Sequence, residues 1–492
     1  MANKAIVSPV DREFFQWVSH AAFANPFSDR RYELDRQITG GRFKEEDERG
    51  PSLQRSVSER VRKLEAEGKA DLRQYSEEDR ELMRNVFLFE TYHQFYERLD
   101  QLIDDQSKSG DAPVRVTFAP EALAALVRRG FPADEAMRFF GIFFQLRRAF
   151  FFVLHGLIGQ SECMKSFRRH LWENVFTFDI RWYDRCLWNR LEDFSTLLLG
   201  ETGTGKGTAA AAIGRSGFIP FDERRGCFAE SFTRSFIALN LSQHPEALIE
   251  SELFGHKKGA FTGAVEAHEG VFARCSPHGA IFLDEIGDVS APIQIKLLQV
   301  LQERTFSPVG SHEKLRFRGR VIAATNQRLA ALRDQKVFRD DFYYRLCSDV
   351  ITVPPLRQRL QESREELALL VKHAVARMTG HPTPELVMLV LEVLTKGVGR
   401  DYPWPGNVRE LEQAVRRILL TRRYEGDVDA AAPGLRGEIL AGLEHGSLDA
   451  DALLSGYCTL LHERHANIEE VARRTNLDRR TVKRYLAQRK SR

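Results

Sequence analysis

Apolar positions along the 492-residue chain change their spacing twice. Up to Gly156 they recur at helical intervals among many charges, and over Glu81–Asp104 the residues Leu82, Val86, Phe89 and Leu99 share one helix face. From Ser195 onward the pattern turns into short apolar runs, each followed by turn residues or polar chemistry: Thr196–Leu199, Phe236–Leu239, Ala280–Leu283, Val321–Ala324 and Val350–Val353. Helical text separates them, which predicts a five-stranded parallel sheet with crossover helices. After Pro354 and Pro355 helical spacing returns over Arg364–Met378, Pro384–Leu394 and Val408–Thr421, enough for a small helical lid. The expected domains are therefore 1–156, mainly helical; 157–363, an α/β core; 364–425, a lid; 426–449, a linker rich in Gly, Ala and Asp; and 450–492, an all-α tail.

Charge refines this division. The chain carries 72 Lys and Arg against 69 Asp and Glu, a net of +3, so it is no polycation. Residues 467–492 alone hold nine Lys or Arg against three Asp or Glu, which concentrates positive charge where DNA would be met. Six scattered cysteines form no CxxC pair, so neither a zinc site nor a redox couple is expected. The start of the chain has no long apolar run, and the greasiest stretch, Phe139–Leu157, is broken by Arg147 and Arg148. These features lead to the expectation of a soluble, cytoplasmic protein with no membrane partner.

The first predicted strand runs straight into Gly200, Glu201, Thr202, Gly203, Thr204, Gly205 and Lys206, with a helix beyond. Strand, glycine loop and helix are the context of a phosphate-binding loop. Its backbone N–H groups converge on phosphate oxygens, the helix N-terminus adds partial positive charge, and Lys206 reaches the terminal phosphates. ATP is the expected nucleotide. The loop departs from the general motif at Gly207, where a Ser or Thr would supply a magnesium ligand; Thr208 lies one residue on. The strand Ala280–Leu283 ends in Asp284 and Glu285, placed to hold Mg2+ and to polarise an attacking water respectively.

Between these motifs lies ESELFGHKKGAFTGA, Glu250–Ala264, and with LIGQS at Leu157–Ser161 and YPWPGNVRELEQAV at Tyr402–Val415 the chain resembles the sigma-54-dependent transcription activators, or bacterial enhancer-binding proteins. The resemblance spans about 157–424. It implies an AAA+ P-loop ATPase that works as a homo-oligomer, a hexamer when active, and remodels the sigma-54 RNA polymerase holoenzyme. By the same resemblance Gly259, Ala260, Phe261, Thr262, Gly263 and Ala264 touch sigma-54, and Asn240 restrains the catalytic Glu285. Asn326 is similar to the first nucleotide sensor and Arg409 to the second, with Arg409 alternatively pairing with Glu410 or Glu412 on its own helix. Arg339 and Arg345 resemble arginine fingers reaching a neighbouring subunit's nucleotide, surface ion pairs being the competing role. The sequence departs from the family at Gly207, in the aromatic segment Phe178–Asp193, expected to rebuild the edge near the nucleotide base, and after PPLRQR, where a one-turn insertion is expected.

The tail resembles a factor-for-inversion-like helix-turn-helix. Ile468–Arg474 reads as one helix, and Asp478 as the N-cap of a second that presents Arg479, Arg480, Lys483 and Arg484 to double-stranded DNA upstream of promoters. A generic AAA+ remodeller, or a regulator of the ordinary polymerase whose ATPase has become regulatory, would not need an intact GAFTGA segment. The signal received by 1–156 is not legible: an early apolar strand ending in paired acids, as in a phosphoreceiver, is missing. Phe87, Phe89, Tyr92, Phe95 and Tyr96 either line a ligand pocket or fill a helical core.

Overall fold

The computed structural model describes residues 5–43, 46–327, 338–399, 402–426 and 446–490 apart from 466, with a few isolated positions between 427 and 445. The linker 426–449 therefore lies largely outside the described residues. The chain divides into two compact units, one holding 1–373 with 406–409, the other 374–405 with 410–492.

The first unit begins with six helices: α1 Pro9–Phe23, α2 Asp29–Thr39, α3 Glu46–Ala66, α4 Glu77–Ser109, α5 Ala119–Arg128 and α6 Ala133–Gly156. Side chains set their starts: the Ser8 and Ser76 hydroxyls accept the N–H groups of Asp11 and Asp79, and Glu77, Glu78 and Asp79 complement the dipole of the 33-residue α4. α7 (Glu162–Phe176) follows, and the LIGQS segment before it is held by a buried carboxylate. Glu366 accepts the N–H groups of Gln160 at 2.7 Å and Ser161 at 3.2 Å, while Arg359 pairs with the same carboxylate at 2.7 Å. A charge with that many partners is satisfied despite its burial.

The α/β core contains β1 Thr196–Leu199, the helix α8 Lys206–Gly214, a hairpin of β2 Phe221–Asp222 and β3 Cys227–Phe228, β4 Phe236–Asn240, α9 Glu246–Phe254, β5 Ala280–Asp284, α10 Ala291–Glu303, a second hairpin of β6 Thr305–Phe306 and β7 Leu315–Arg316, β8 Arg320–Thr325, α11 Asp340–Leu346 and β9 Asp349–Thr352. The five predicted strands form one parallel sheet in the order β4-β5-β8-β1-β9. The inner strands β1, β5 and β8 are buried on both faces, which their continuous apolar runs require, whereas the edge strands β4 and β9 are only partly buried, with Ala238 and Thr352 exposed.

The helical region does not stand apart from this core. Phe140 and Phe144 of α6 stack against Phe228, and Phe140 packs edge-on against Phe221, so the β2/β3 hairpin is inserted among the N-terminal aromatics. The segment expected to rebuild the edge near the nucleotide base lies elsewhere. Tyr183, Trp188 and Leu191 share a cavity with Gly279, Ala280 and Arg320, at the strands' N-terminal ends, and the Tyr183 hydroxyl donates to Gln145 of α6 at 2.7 Å.

After α12 (Leu356–Glu362), α13 (Glu366–Thr379) runs into the second unit, which holds α14 (Pro384–Gly397), most of α15 (Asn407–Thr421), and the tail helices α16 Ala450–His465, α17 Ile468–Thr475 and α18 Arg479–Lys490. Glu410 gathers the hydroxyls of Tyr402 at 2.6 Å and Tyr424 at 2.9 Å. The tail closes on Cys458, Leu461, Val471, Val482 and Tyr485.

Candidate phosphate site, loop and tail

The loop after β1 is tight because glycine makes it so. Gly203 has φ +81°, and a Cβ there would stand 2.2 Å from the Gly406 carbonyl oxygen and 2.9 Å from Arg409 Cβ. At Gly205, φ +104°, a Cβ would meet nothing within 4 Å, so that position answers only to backbone conformation and leaves the concave side open. The Lys206 ammonium donates to the carbonyls of Gly200 at 2.8 Å and Glu201 at 3.3 Å. Burial lowers its pKa, and the charges of Glu285 and Asp284 oppose that shift. Thr204 Oγ1 closes the turn onto the Glu201 carbonyl at 2.8 Å, and Thr202 Oγ1 accepts from the Asn326 amide at 3.3 Å. Gly207 and Thr208 are exposed at the start of α8, and a Cβ at Gly207 would meet only Phe282 at 3.9 Å. Nothing in the packing requires glycine there.

Asp284 and Glu285 stand at the C-terminal end of β5, beside Lys206. Glu285 adopts the left-handed conformation at φ 56°, which turns the chain sharply after the strand. Burial raises its pKa, Asp284 adds to the rise, and the charge of Lys206 and the backbone N–H of Asn326 counter it. The result is a carboxylate of increased basicity held next to an ammonium of increased acidity. Asn240 is the register partner of Asp284 across β4 and β5, yet its side chain accepts from Ser242 N–H at 3.0 Å and hydroxyl at 2.8 Å. It caps its own turn and no bond from it to Glu285 is present.

The start of α15 docks onto this loop. The Arg409 N–H donates to the Gly203 carbonyl at 3.3 Å, and its guanidinium is near enough to lower the Lys206 pKa further. The competing pairings are taken up otherwise: Glu410 by the two tyrosines, and Glu412 by Arg377 at 2.6 Å and Arg416 at 3.8 Å. Sequence reasoning passed over Asn407, two residues earlier in the same WPGNVREL motif. Its amide donates to the Thr202 carbonyl and a Glu201 oxygen, each at 3.1 Å, while its Oδ1 accepts Leu356 N–H at 2.8 Å. Glu201 also takes both Arg357 Nη atoms, at 2.6 and 2.8 Å. Asn407 has a positive φ of 53°, a conformation asparagine adopts readily, but no local sequence pattern marks its role.

The two finger candidates differ. Arg345 Nε is spent on the Leu301 carbonyl at 2.9 Å within its own chain. Arg339 caps the exposed start of α11 and pairs with Asp341 alone, at 2.9 and 3.1 Å.

Gly259–Ala264 forms a closed turn: Gly259 N–H donates to the Ala264 carbonyl at 2.8 Å, Ala260 to Lys257 at 3.1 Å and Ala264 to Phe261 at 3.0 Å. Its base is fixed by bridges from His256 to His268 and to Val309. Gly259 and Gly263 have φ +80° and +104° with no atom within 4 Å of an added Cβ. At the tip Thr262 is exposed and Phe261 is 38% exposed, its ring edge-on to His256 at 4.9 Å. In the tail, Asp478 accepts the N–H groups of Arg480 and Thr481 at 2.9 and 3.0 Å, which starts α18 and leaves Arg480, Lys483 and Arg484 exposed. Arg479 pairs with Glu469 of α17 at 2.7 Å, with both side chains exposed.

With this geometry described, comparison with known proteins is decisive for the central segment. Residues 186–352 match the Sigma-54 interaction domain. The chain is similar to the DNA-binding transcriptional regulator NtrC of Azospirillum brasilense, 40% identical over 264 residues, 53% of this chain and 47% of that protein. It is 36% identical over 307 residues to the transcriptional regulatory protein ZraR of Klebsiella oxytoca, covering 59% of this chain and 62% of the relative. The regulatory protein AtoC of Escherichia coli is 36% identical over 273 residues, 53% of this chain and 55% of AtoC. The chain thus spans about half the length of these curated relatives. A crystal structure of NtrX from Brucella abortus in complex with ADP aligns over 76% of this chain and 80% of its own, 21% identical, at a TM-score of 0.42. Among the described residues no helix is long and apolar enough to cross a membrane.

Proposed function

We propose that this chain is a sigma-54-dependent transcriptional regulator that binds upstream DNA through its tail and uses ATP hydrolysis in an oligomeric ring to convert the closed sigma-54 polymerase complex into an open one. The observation that carries this reading is the coexistence, within the segment that matches the Sigma-54 interaction domain, of a phosphate loop with its acidic pair and an exposed GAFTGA turn.

The residues fit ATP with Mg2+. The open face at Gly205, the half-buried Lys206 and the N-terminus of α8 make a cradle for a triphosphate. Mg2+ in nucleotide sites is bound through one or two carboxylates together with the nucleotide's own phosphates. Asp284 would hold it there, and the ion would neutralise charge on the phosphate oxygens. Glu285 is the general base that orients and deprotonates the attacking water. Arg409, anchored on the loop through its own N–H, is positioned to sense the phosphates from the lid helix. Arg339, exposed and with its guanidinium paired to its neighbour Asp341 among the described residues, is the better arginine finger for an adjoining subunit, because Arg345 would have to give up the Leu301 carbonyl. Arg480, Lys483 and Arg484 are the groups free to meet a major groove.

The test is direct: purified protein, sigma-54 holoenzyme and a promoter with an upstream site should yield permanganate-reactive open complexes with ATP and none with a non-hydrolysable analogue. Open complexes formed only with the ordinary polymerase, or without hydrolysis, would assign the protein to another class of regulator.

A further inference from the structure

The two halves of the phosphate loop are held differently. Over Gly205–Lys206 the loop is open: a Cβ at Gly205 would meet nothing within 4 Å, and the Lys206 ammonium is folded back onto the carbonyls of Gly200 and Glu201. Over Glu201–Gly203 it is gripped by the starts of two helices, α12 and α15. Asn407 stands where these three segments meet, and it is fully buried. Both ends of its amide are used. Oδ1 accepts the Leu356 N–H at 2.8 Å, a first-turn donor that has no partner within α12, and the two hydrogens of Nδ2 serve the Thr202 carbonyl and the Glu201 carboxylate, each at 3.1 Å. Glu201 is fixed from its other side by both Nη atoms of Arg357, the residue after Leu356. A carboxylate at 407 could still serve Leu356, but it would turn lone pairs toward the Thr202 carbonyl and a second carboxylate.

The bond to Thr202 also sets a direction. In a trans peptide the C=O and the following N–H point opposite ways, so holding the Thr202 carbonyl toward Asn407 turns the Gly203 N–H away from it. The next peptide unit is held at both ends, the Gly203 carbonyl by the Arg409 N–H at 3.3 Å and the Thr204 N–H by the Glu201 carbonyl at 3.4 Å. The first half of the loop is therefore ordered before any phosphate arrives. Loops of this kind bind phosphate through backbone N–H groups, and ordering them beforehand lowers the entropy lost on binding.

We propose that Asn407 is a positioning residue of the ATPase: it holds the Glu201–Thr202 end of the loop in its phosphate-binding shape, so that nucleotide affinity, and not the turnover of bound nucleotide, depends on it. The inference rests on the reading that this loop takes ATP. It separates two tasks within the site. The amide of Asn407 acts on the loop that binds, whereas Glu285, at the end of β5, acts on the water that attacks.

Two variants of the full chain test this. Asn407→Asp keeps the shape and the acceptor for Leu356 but removes the donors, and Asn407→Gly removes the whole amide while accommodating the positive φ without strain. Titration with mant-ATP, a fluorescent ATP analogue, in the presence of Mg2+ gives the affinity, and phosphate release at saturating ATP gives kcat. Each variant should bind about tenfold more weakly or worse, with kcat within about threefold of the parent, the reverse of the split expected for Glu285→Gln. A role in the fold alone would lower the melting temperature without moving the affinity of the folded protein. Parental affinity in either folded variant, or a fall in kcat at unchanged affinity, would overturn the proposal. If Asn407→Asp does not fold, Asn407→Gly decides, and failure of both to fold would make Asn407 a residue of the fold and overturn it as well. A parent chain that does not bind mant-ATP would instead refute the ATP reading itself, and this inference with it.

Discussion

The phosphate loop and the GAFTGA turn are both glycine-rich, both carry positive-φ glycines, and differ in what surrounds them. At Gly203 an extra carbon would collide with the Gly406 carbonyl at 2.2 Å, and Thr202, Thr204, Lys206 and Glu201 all have partners. At Gly259 and Gly263 the same carbon would touch nothing, and the turn is held by its own backbone bonds while Thr262 stands in solvent. The glycines of one loop are constrained by packing, while those of the other are constrained by backbone conformation, its contacts to the domain running through Ala260, which closely faces Gly310, and Phe261, edge-on to His256. Under the proposed function this is the division a motor would use, with the phosphate loop closed against the start of α15 and an exposed turn left to meet a partner.

The largest effect that would sharpen this contrast is chemical. Glu285→Gln should lower ATP turnover by about 10²–10⁴-fold while nucleotide binding persists, since only water activation is lost; Lys206→Ala should lose binding itself. Fluorescent-nucleotide titration beside a phosphate-release assay separates the two, and normal turnover in Glu285→Gln would place the base elsewhere. Next comes packing. Gly203→Ala should destabilise the first unit by about 2–4 kcal/mol through overpacking and strain, against about 1–2 kcal/mol for Gly263→Ala, where only the backbone objects. Equal losses in denaturant melts would erase the distinction.

A third effect is in the pH profile. Because burial and Asp284 raise Glu285, the acid limb of ATP hydrolysis should lie above the ordinary glutamate value of 4.5, activity rising as pH increases through the shifted pKa. The limb should be the same in GAFTGA-turn variants, whose residues are remote from the base. The smallest effect concerns Gly207. With only Phe282 at 3.9 Å, Gly207→Ala should stabilise α8 by about 0.5–1 kcal/mol through helix propensity alone, read as a rise in melting temperature. A loss of stability would mean that the position carries a constraint the packing does not reveal.

How far the sequence could be read follows the same physical line. The strands were legible within a residue or two because the inner three, β1, β5 and β8, are buried and so apolar nearly throughout, and the edge strands β4 and β9 keep a short apolar run where they meet the sheet. The phosphate loop, acidic pair and GAFTGA segment were legible because fixed residue types at fixed spacing do their chemistry. Asn407 was not, since its role depends on the loop that α15 meets, a tertiary relation with no local pattern. The tether of Arg345 to the Leu301 carbonyl, and the placement of 183–193 at the strands' N-terminal ends, were hidden for the same reason. In the helical region, spacing alone assigned the aromatics to helix faces but could not say which faces meet a cavity. Phe87 and Phe89 are two residues apart on α4 and both belong to the buried core, yet of the two Phe89 alone also lines one.

The central claim is that hydrolysis at the locked site is read out by the free turn, and Thr262→Ala tests it most directly, because Thr262 is exposed and Gly259–Ala264 keeps its backbone bonds without the threonine side chain. ATPase activity and sigma-54 open-complex formation should be measured on the same preparation. The account predicts hydrolysis within about twofold of the parent, since the site of chemistry is untouched, together with loss of open complexes. Full open-complex formation by Thr262→Ala, at parental ATPase activity, would contradict it.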